Sequence, residues 1–228
     1  MKAVLKSAVV FGLGGFIFGS LLSVDARALE ANVVLVGDSV LSALNPRDTN
    51  FAQTVIGANR WNVKIDAKPC RCATTPGCKN GTPESVRNVL TARNDLSSNA
   101  VVIMVGHNDP RNESFRAKVD SVLAAAEKSP MIFWVTMREV SASYRVANRI
   151  LAEEAQKRKN VRLVPWAGVS QTRAEWFAKD GVHLRTAGAR KLAETILREL
   201  EQWRSKSEGG RRASRSQPQP STLMRVNA

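Results

Sequence analysis

Polar residues in three separate blocks of the sequence have the side chains that ester chemistry requires. Ser39 follows an apolar run, residues 33–36, in the segment VVLVGDSVL. A serine hydroxyl becomes a good nucleophile only when a base takes its proton. His183 can be that base, because Asp180 precedes it by three residues in DGVHL and can orient its imidazole. Asn108 has an amide N–H of the kind that stabilises an oxyanion. These residues predict a Ser-His-Asp site.

The elements that must position these residues are short apolar strands that alternate with amphipathic helices. Strands are predicted at 33–36, 61–65, 100–105, 131–136 and 161–164, and helices at 83–96 (with Thr82 as N-cap and Pro83 in the first turn), 112–128, 143–157 and 186–203. Apolar strands separated by helices indicate a parallel sheet covered on both faces. We therefore expect an α/β fold, a three-layer α/β/α sandwich with a five-stranded, flavodoxin-like parallel sheet, whose ligands bind at the carboxyl ends of the strands.

The two ends of the chain differ in composition from its middle. Residues 1–28 combine Lys2 and Lys6 with an uncharged run and an A-x-A sequence, which predicts a signal peptide or an uncleaved N-terminal membrane anchor, and export in either case. Residues 205–228 have few large apolar side chains and are predicted to be a disordered basic tail. The domain between them spans 29–204. The net charge of +14 suits an anionic surface or polymer without identifying one.

Export also determines how the cysteines are interpreted. Cys70, Cys72 and Cys78 are the only three, in the segment CRCATTPGC. Outside the cytoplasm two of them should pair, and we expect Cys70–Cys78 because a Cys70–Cys72 bridge would be sterically strained. A reduced, buried set is the alternative. Zinc is not expected, because this spacing is unusual for a finger and no fourth ligand lies nearby.

The chemical blocks resemble those of the SGNH (GDSL-type) hydrolases. GDS at 37–39, GHND at 106–109 and DGVHL at 180–184 occur in the order of that family, and the resemblance covers about residues 31–203. The segments IDAKPCRCATTPGC, WVTMRE and WFAKDGVHLRTAGA are similar to exported bacterial SGNH domains, including those attached to membrane acyltransferases that modify cell-wall glycans. The SGNH fold and an ester-hydrolysing activity without a cofactor are the expectations that follow.

The resemblance also implies roles for individual residues. Ser39 is the implied nucleophile, His183 the base and Asp180 its orienting carboxylate. The implied oxyanion donors are the amide of Asn108 and the backbone N–H groups of Ser39 and Cys70. Cys70 departs from the family pattern, because the family has a glycine at the corresponding place.

Three further residues are predicted to contact substrate. Gly106 and His107 belong to the GHND block, and Arg138 follows the fourth predicted strand at the ligand-binding edge. His107 replaces the small or hydroxyl residue usual in the family, and a solvated loop histidine is the alternative interpretation. For Arg138 the alternative is a surface ion pair with Glu139.

The expected function is that of an exported serine esterase acting through an acyl-enzyme, with O-acetyl groups on a cell-envelope carbohydrate as the preferred substrate. An O-acyltransferase using the same site, or a catalytically silent envelope-glycan-binding module, are the alternatives. Nucleic-acid binding is disfavoured, because the basic tail contains no aromatic residue.

Overall fold

A single parallel sheet organises the protein. The computed structural model describes residues 31–46, 48–78 and 82–215. The strands are β1 (Ala31–Gly37), β2 (Trp61–Ala67), β3 (Asn99–Met104), β4 (Ile132–Val135) and β5 (Val161–Val164). They pair in the order β2-β1-β3-β4-β5, all parallel. The predicted five-stranded, flavodoxin-like sheet is confirmed, and this order places β1 and β3, which precede the GDS and GHND blocks, side by side.

Helices connect the strands and cover both faces of the sheet. They are α1 (Ser39–Ser42), α2 (Val86–Thr91), α3 (Phe115–Ala125), α4 (Ala142–Gln156), α5 (Trp166–Ser170) and α6 (Thr186–Arg215), with single turns at Ala52–Ile56, Gly57–Asn59, Leu96–Ser98 and Ala174–Trp176. In β1, Val33 and Leu35 pack in the core on the α6 side, whereas Val34 and Val36 pack on the side of α3 and α4. All four are fully buried, which explains why this strand is apolar on both faces.

Helix α2 begins later than the sequence predicts. Ser85 is its N-cap, because the Ser85 side chain accepts a hydrogen bond from the N–H of Asn88 at 3.2 Å. The expected cap at Thr82 and first turn at Pro83 are wrong. The Pro83 carbonyl instead accepts a hydrogen bond from the N–H of Gly77 at 3.0 Å. Packing against the cysteine loop thus overrides a local start signal.

Helix α6 ends later than the sequence predicts. It continues to Arg215, twelve residues beyond the predicted end at residue 203. Trp203 packs against Trp61 with ring centroids 6.3 Å apart, which anchors α6 at its predicted end. The segment predicted as disordered therefore begins as helix, and residues 216–228 lie outside the described part of the chain.

The predicted N-terminal targeting segment, residues 1–28, also lies outside the described residues. Within the described ranges, no helix has both the length and the apolar character that crossing a membrane requires.

Candidate active site

Ser39 lies at a tight turn between β1 and α1. The N–H of Asp38 donates to the carbonyl of Met104 at 3.0 Å, which ties the turn to β3. Asp38 is fully buried and caps α1 by accepting the N–H of Val40 at 3.0 Å. A side chain at Gly37 would place its Cβ 2.3 Å from the Met104 carbonyl oxygen, so only glycine allows this close approach. The sheet therefore presents Ser39 at the carboxyl end of a central strand.

Asp180 and His183 lie in the loop that leads into α6. The Asp180 Oδ1 accepts the backbone N–H groups of Val182 at 2.9 Å and His183 at 3.0 Å. Gly181 has φ +69°, a left-handed conformation that favours glycine. These bonds fold the loop so that Oδ2 of Asp180 faces the imidazole 2.7 Å away at Nδ1.

The structure brings the three predicted residues together. His183 Nε2 lies 3.1 Å from Ser39 Oγ, although the two residues are 144 positions apart in sequence. Hydrogen bonds from the His183 ring and then from the Val182 N–H lower the pKa of Asp180 to about 2. The ionised carboxylate favours a proton on Nδ1, which leaves the lone pair of Nε2 directed at the serine hydroxyl. This arrangement can activate Ser39 as a nucleophile.

The predicted oxyanion donors lie around a loop held by Arg71. The Asn108 amide donates to the Arg71 carbonyl at 3.0 Å. Cys70, with φ +69°, precedes Arg71 directly. Among the described residues, the backbone N–H groups of Ser39 and Cys70 have no protein acceptor. Two backbone donors and one amide hydrogen of Asn108 are therefore free to bind a ligand oxygen.

Two buried charged residues that the sequence analysis missed hold this loop. The Arg71 guanidinium donates to the carbonyl of Asp66 at 2.5 Å and to that of Glu84 at 2.9 Å. Asp109 accepts the N–H of Ala73 at 2.9 Å, and the ammonium group of Lys118 lies 2.8 Å from its other oxygen. The cysteine loop and the GHND block are thus linked to each other. A charged residue inside a cysteine loop or inside the GHND block is the sequence signal for such a role.

The structure contains the predicted Cys70–Cys78 disulfide. The N–H of Cys78 also donates to the carbonyl of Cys70 at 3.3 Å. Cys72 is a buried free thiol whose pKa is raised, chiefly by burial. Within the described residues, no group of three acidic, histidine or cysteine side chains is arranged to hold a metal ion.

Gly106 and Arg138, both predicted substrate contacts, make structural contacts. Gly106 has φ +132°, and a Cβ there would lie 2.8 Å from the Phe115 ring. Arg138 donates to the Gly181 carbonyl at 3.0 Å, and its guanidinium lies 4.5 Å from the Phe177 ring centroid. No Arg138–Glu139 ion pair is found in the described part of the chain. Arg138 supports the loop that bears Asp180 and His183.

His107 is not a solvated loop residue, and that alternative is wrong. Its side chain is only 7% exposed, and its Nδ1 lies 2.8 Å from Oδ2 of Asp38. The residue before the proposed nucleophile is therefore bonded to the GHND block.

The five-stranded parallel sheet with helices on both faces matches the fold of solved SGNH (GDSL-type) hydrolases. A solved structure with this fold is the C-terminal catalytic domain of peptidoglycan O-acetyltransferase A from Streptococcus pneumoniae, with a TM-score of 0.59 and 23% identity over 76% of this chain and 94% of that one. A member of the lipolytic protein G-D-S-L family from Veillonella parvula DSM 2008 is similar with a TM-score of 0.54 and 16% identity over 73% and 96%. The resemblance to SGNH hydrolases and the predicted fold are confirmed.

A curated relative is similar over a short stretch. O-acetyltransferase OatA of Staphylococcus aureus (strain NCTC 8325 / PS 47) is 43% identical over 54 residues, which are 24% of this chain and 9% of that protein. No protein-family model matches the chain. Because the matched stretch is a small part of the relative, the activity and substrate of the whole relative do not transfer directly to this protein.

Proposed function

We propose that this protein is an exported serine esterase that hydrolyses acyl esters, with O-acetyl groups on a cell-envelope carbohydrate as its substrate class. The observation that carries the proposal is the hydrogen-bond chain from Asp180 through His183 to Ser39. Such a chain is the arrangement that acyl transfer through a serine requires. The named activities of the similar proteins, peptidoglycan O-acetyl transfer and lipolysis, are both reactions of acyl esters.

The reaction proceeds in two acyl transfers. Ser39 Oγ attacks the ester carbonyl carbon while its proton passes to Nε2 of His183. The bond to the alcohol oxygen breaks as the imidazolium returns this proton to it, which leaves the acyl group on Ser39. Water, deprotonated by His183, then attacks the acyl carbonyl and releases the carboxylic acid and the free serine. Asp180 remains ionised throughout and stabilises the imidazolium.

The negative charge that develops on the carbonyl oxygen needs preorganised donors. In this proposal they are the backbone N–H groups of Ser39 and Cys70 and the amide of Asn108. The disulfide from Cys70 and the Arg71 contacts hold this loop in place. Loss of one such donor typically lowers kcat by about 10²–10³-fold. Nucleophile, base and donors all belong to the chain, so the reaction needs no cofactor.

An O-acyltransferase that uses the same residues is the second candidate, favoured by the names of the similar proteins. The two reactions differ only in whether water or a sugar hydroxyl accepts the acyl group. The side chains of His183 and Asp180 are 55% and 49% exposed, so water reaches the base, and this favours hydrolysis. Product analysis with and without an added glycan acceptor distinguishes hydrolysis from acyl transfer. If the acyl group goes to the acceptor faster than to water at low acceptor concentration, the esterase assignment is overturned.

The test of the mechanism is intact-protein mass after exposure of residues 29–228 to a serine-reactive fluorophosphonate. We expect one adduct on the wild-type protein and none on Ser39→Ala, which should keep its fold and lose all turnover. Absence of an adduct on the folded wild-type protein would contradict an activated Ser39 and favour a silent glycan-binding module. Activity that survives in Ser39→Ala would exclude the mechanism altogether.

Export is part of the proposal and rests on residues 1–28. If a signal is cleaved after the A-x-A sequence, the mature chain begins at Leu29. Terminal sequencing of the protein recovered from the producing cells distinguishes this outcome from an uncleaved anchor.

A further inference from the structure

A second Asp-His pair lies directly beside the proposed nucleophile. Asp38 precedes Ser39, and its Oδ2 lies 2.8 Å from Nδ1 of His107, while its Oδ1 accepts the Val40 N–H. The backbone N–H of His107 also approaches Oδ2, at 3.4 Å. Because both oxygens of this fully buried carboxylate accept hydrogen bonds, it favours a proton on Nδ1 of His107.

The other ring nitrogen of His107 has no protein partner. In the neutral ring with a proton on Nδ1, Nε2 is an acceptor that points away from Asp38. No hydrogen bond from Nε2 to any described residue is found, although the side chain is more than nine-tenths buried. Nε2 is not among the fully buried unpartnered atoms of the described residues, so this edge of the ring reaches solvent and is open to a ligand hydroxyl.

Tyr144 of α4 lies next to this histidine. The two ring centroids are 6.0 Å apart, and the rings are tilted by 50°. Arg111 holds both: its guanidinium lies 4.2 Å from the Tyr144 ring centroid and donates to the His107 carbonyl at 2.7 Å. The Tyr144 side chain is largely buried, but its hydroxyl is not among the fully buried unpartnered atoms of the described residues and so reaches solvent.

Burial and the charges around Tyr144 keep its hydroxyl protonated. Burial raises the pKa of Tyr144, and the carboxylates of Asp38 and Asp180 raise it further, against the opposing effect of Arg111. Tyr144 therefore keeps its proton and remains a donor. Through its ring contact with His107, which is bonded to Asp38, Tyr144 lies beside the turn that carries Ser39.

An unpartnered ring nitrogen that accepts, and a hydroxyl that donates and accepts, suit neutral hydroxyl groups. The nearby carboxylates of Asp38 and Asp180 disfavour an anion, and the Arg111 guanidinium is already engaged by backbone carbonyls and the tyrosine ring. We propose that His107 and Tyr144 form a subsite that binds hydroxyl groups on the alcohol part of the ester, and so select a polyhydroxylated, sugar-like alcohol. This inference rests on the proposed esterase function. It adds which alcohols the enzyme accepts as the leaving group.

Two matched esters test the subsite. Methyl 6-O-acetyl-glucopyranoside and cyclohexylmethyl acetate both carry acetate on a methylene attached to a six-membered ring, and only the first has ring hydroxyls. The readout is the ratio of kcat/KM for the sugar ester to kcat/KM for the plain ester. A lost hydrogen bond between neutral groups corresponds to a change of about threefold to tenfold. We expect such a drop in this ratio for Tyr144→Phe and for His107→Asn.

The histidine variants separate subsite binding from support of Asp38. His107→Asn keeps an amide N–H close to the Nδ1 position and removes Nε2, whereas His107→Gln retains a polar atom near the Nε2 position. We expect Gln to restore part of the ratio that Asn loses. Arg145→Gln, an exposed neighbour of Tyr144 on α4, should leave the ratio unchanged. Equal loss on both esters, or an unchanged ratio in all variants, would overturn the subsite.

Binding to the inactive protein separates failure of the subsite from failure of the proposed function. Saturation-transfer NMR of methyl 6-O-acetyl-glucopyranoside with Ser39→Ala should give a signal that Tyr144→Phe and His107→Asn weaken in that background. The same signal with a wild-type protein that hydrolyses neither ester would support the subsite and refute the esterase. No signal, or one that both variants leave intact, would refute the subsite whatever the activity.

Discussion

At the scale of single residues, the proposed mechanism depends on which ring nitrogen of His183 carries the proton. Asp180 binds two backbone N–H groups through Oδ1 and the His183 ring through Oδ2, so its orientation is fixed from both sides. The carboxylate holds the imidazole tautomer that faces Ser39 with a lone pair. A substitution at Asp180 that reverses the His183 tautomer should therefore lower kcat more than one that only removes the negative charge.

Asp180→Asn tests the control of the tautomer. The asparagine oxygen can still accept from the Val182 and His183 N–H groups, but its amide presents hydrogens to Nδ1 and moves the ring proton to Nε2. His183 then cannot accept the proton of Ser39, and we expect kcat to fall by about 10³–10⁴-fold, as in other triads. Steady-state kinetics on an aryl acetate measures this. A fall of less than tenfold in a folded variant would contradict the assigned role of Asp180.

The low pKa of Asp180 also predicts how stability depends on pH. Because the folded-state pKa of about 2 lies below the ordinary 3.8, ionised Asp180 stabilises the fold above pH 4, and this contribution is lost as the pH falls toward 2. Asp180→Asn should therefore lose less stability than the wild-type protein between pH 4 and pH 2. Urea unfolding at several pH values measures the difference. Parallel curves for the two proteins over this range would contradict the assigned pKa.

At the scale of elements, loops that are far apart in sequence support one another around the site. The turn after β1 contacts the GHND block through Asp38 and His107, and that block contacts the cysteine loop through Asn108 and Asp109. The loop before α6 is held by Arg138, which follows β4. Each catalytic group is thus fixed by an element other than its own.

Arg138→Lys tests this support from a distance. A lysine keeps the positive charge, but it cannot both donate to the Gly181 carbonyl and lie flat over the Phe177 ring. We expect kcat to fall by roughly tenfold, with KM little changed, because the loop is displaced and the substrate is not touched. The rate of fluorophosphonate labelling should fall in parallel. A raised KM with unchanged kcat would instead indicate the substrate contact that the sequence suggested.

At the scale of the whole molecule, part of the positive charge lies on the extended end of α6. The chain carries a net charge of +14, and its last 24 residues contain five basic side chains and one acidic one. Helix α6 extends into this segment as far as Arg215. We propose that this basic segment holds the protein near anionic polymers.

Neutralising this segment should weaken retention by an anionic polymer. In one variant Lys206, Arg211, Arg212 and Arg215 become glutamine, which preserves helix propensity. The control changes Arg87, Lys128, Arg145 and Lys159, four exposed basic residues scattered over the domain, to glutamine. On immobilised polygalacturonate we expect the first variant to elute at clearly lower salt than the control. Equal elution would mean that net charge, and not the segment, determines binding.

The sequence predicted the architecture well because its signals are local. Each run of buried aliphatic residues became a strand, and the helical segments between the strands favour the parallel pairing that is observed. The GDS, GHND and DGVHL blocks could be assigned to one edge of the sheet on the same grounds. Local signals failed where a distant contact competed with them. The start signal at Thr82 and Pro83 lost to packing of the cysteine loop. Helix α6 continues past Trp203 through Gly209 and Gly210, where no local signal predicts helix.

By itself, the sequence determined the fold class, the residue types of the site and the edge of the sheet at which they gather. Only the tertiary structure decided the separation of 3.1 Å between His183 and Ser39, the attachment of Arg138 to the Gly181 loop, and the pairing of His107 with Asp38. The physical reason is the distance along the chain over which each kind of interaction acts. Hydrophobic periodicity and turn propensity act over a few neighbouring residues, whereas the partner that a buried polar group finds depends on which chain segments pack beside it.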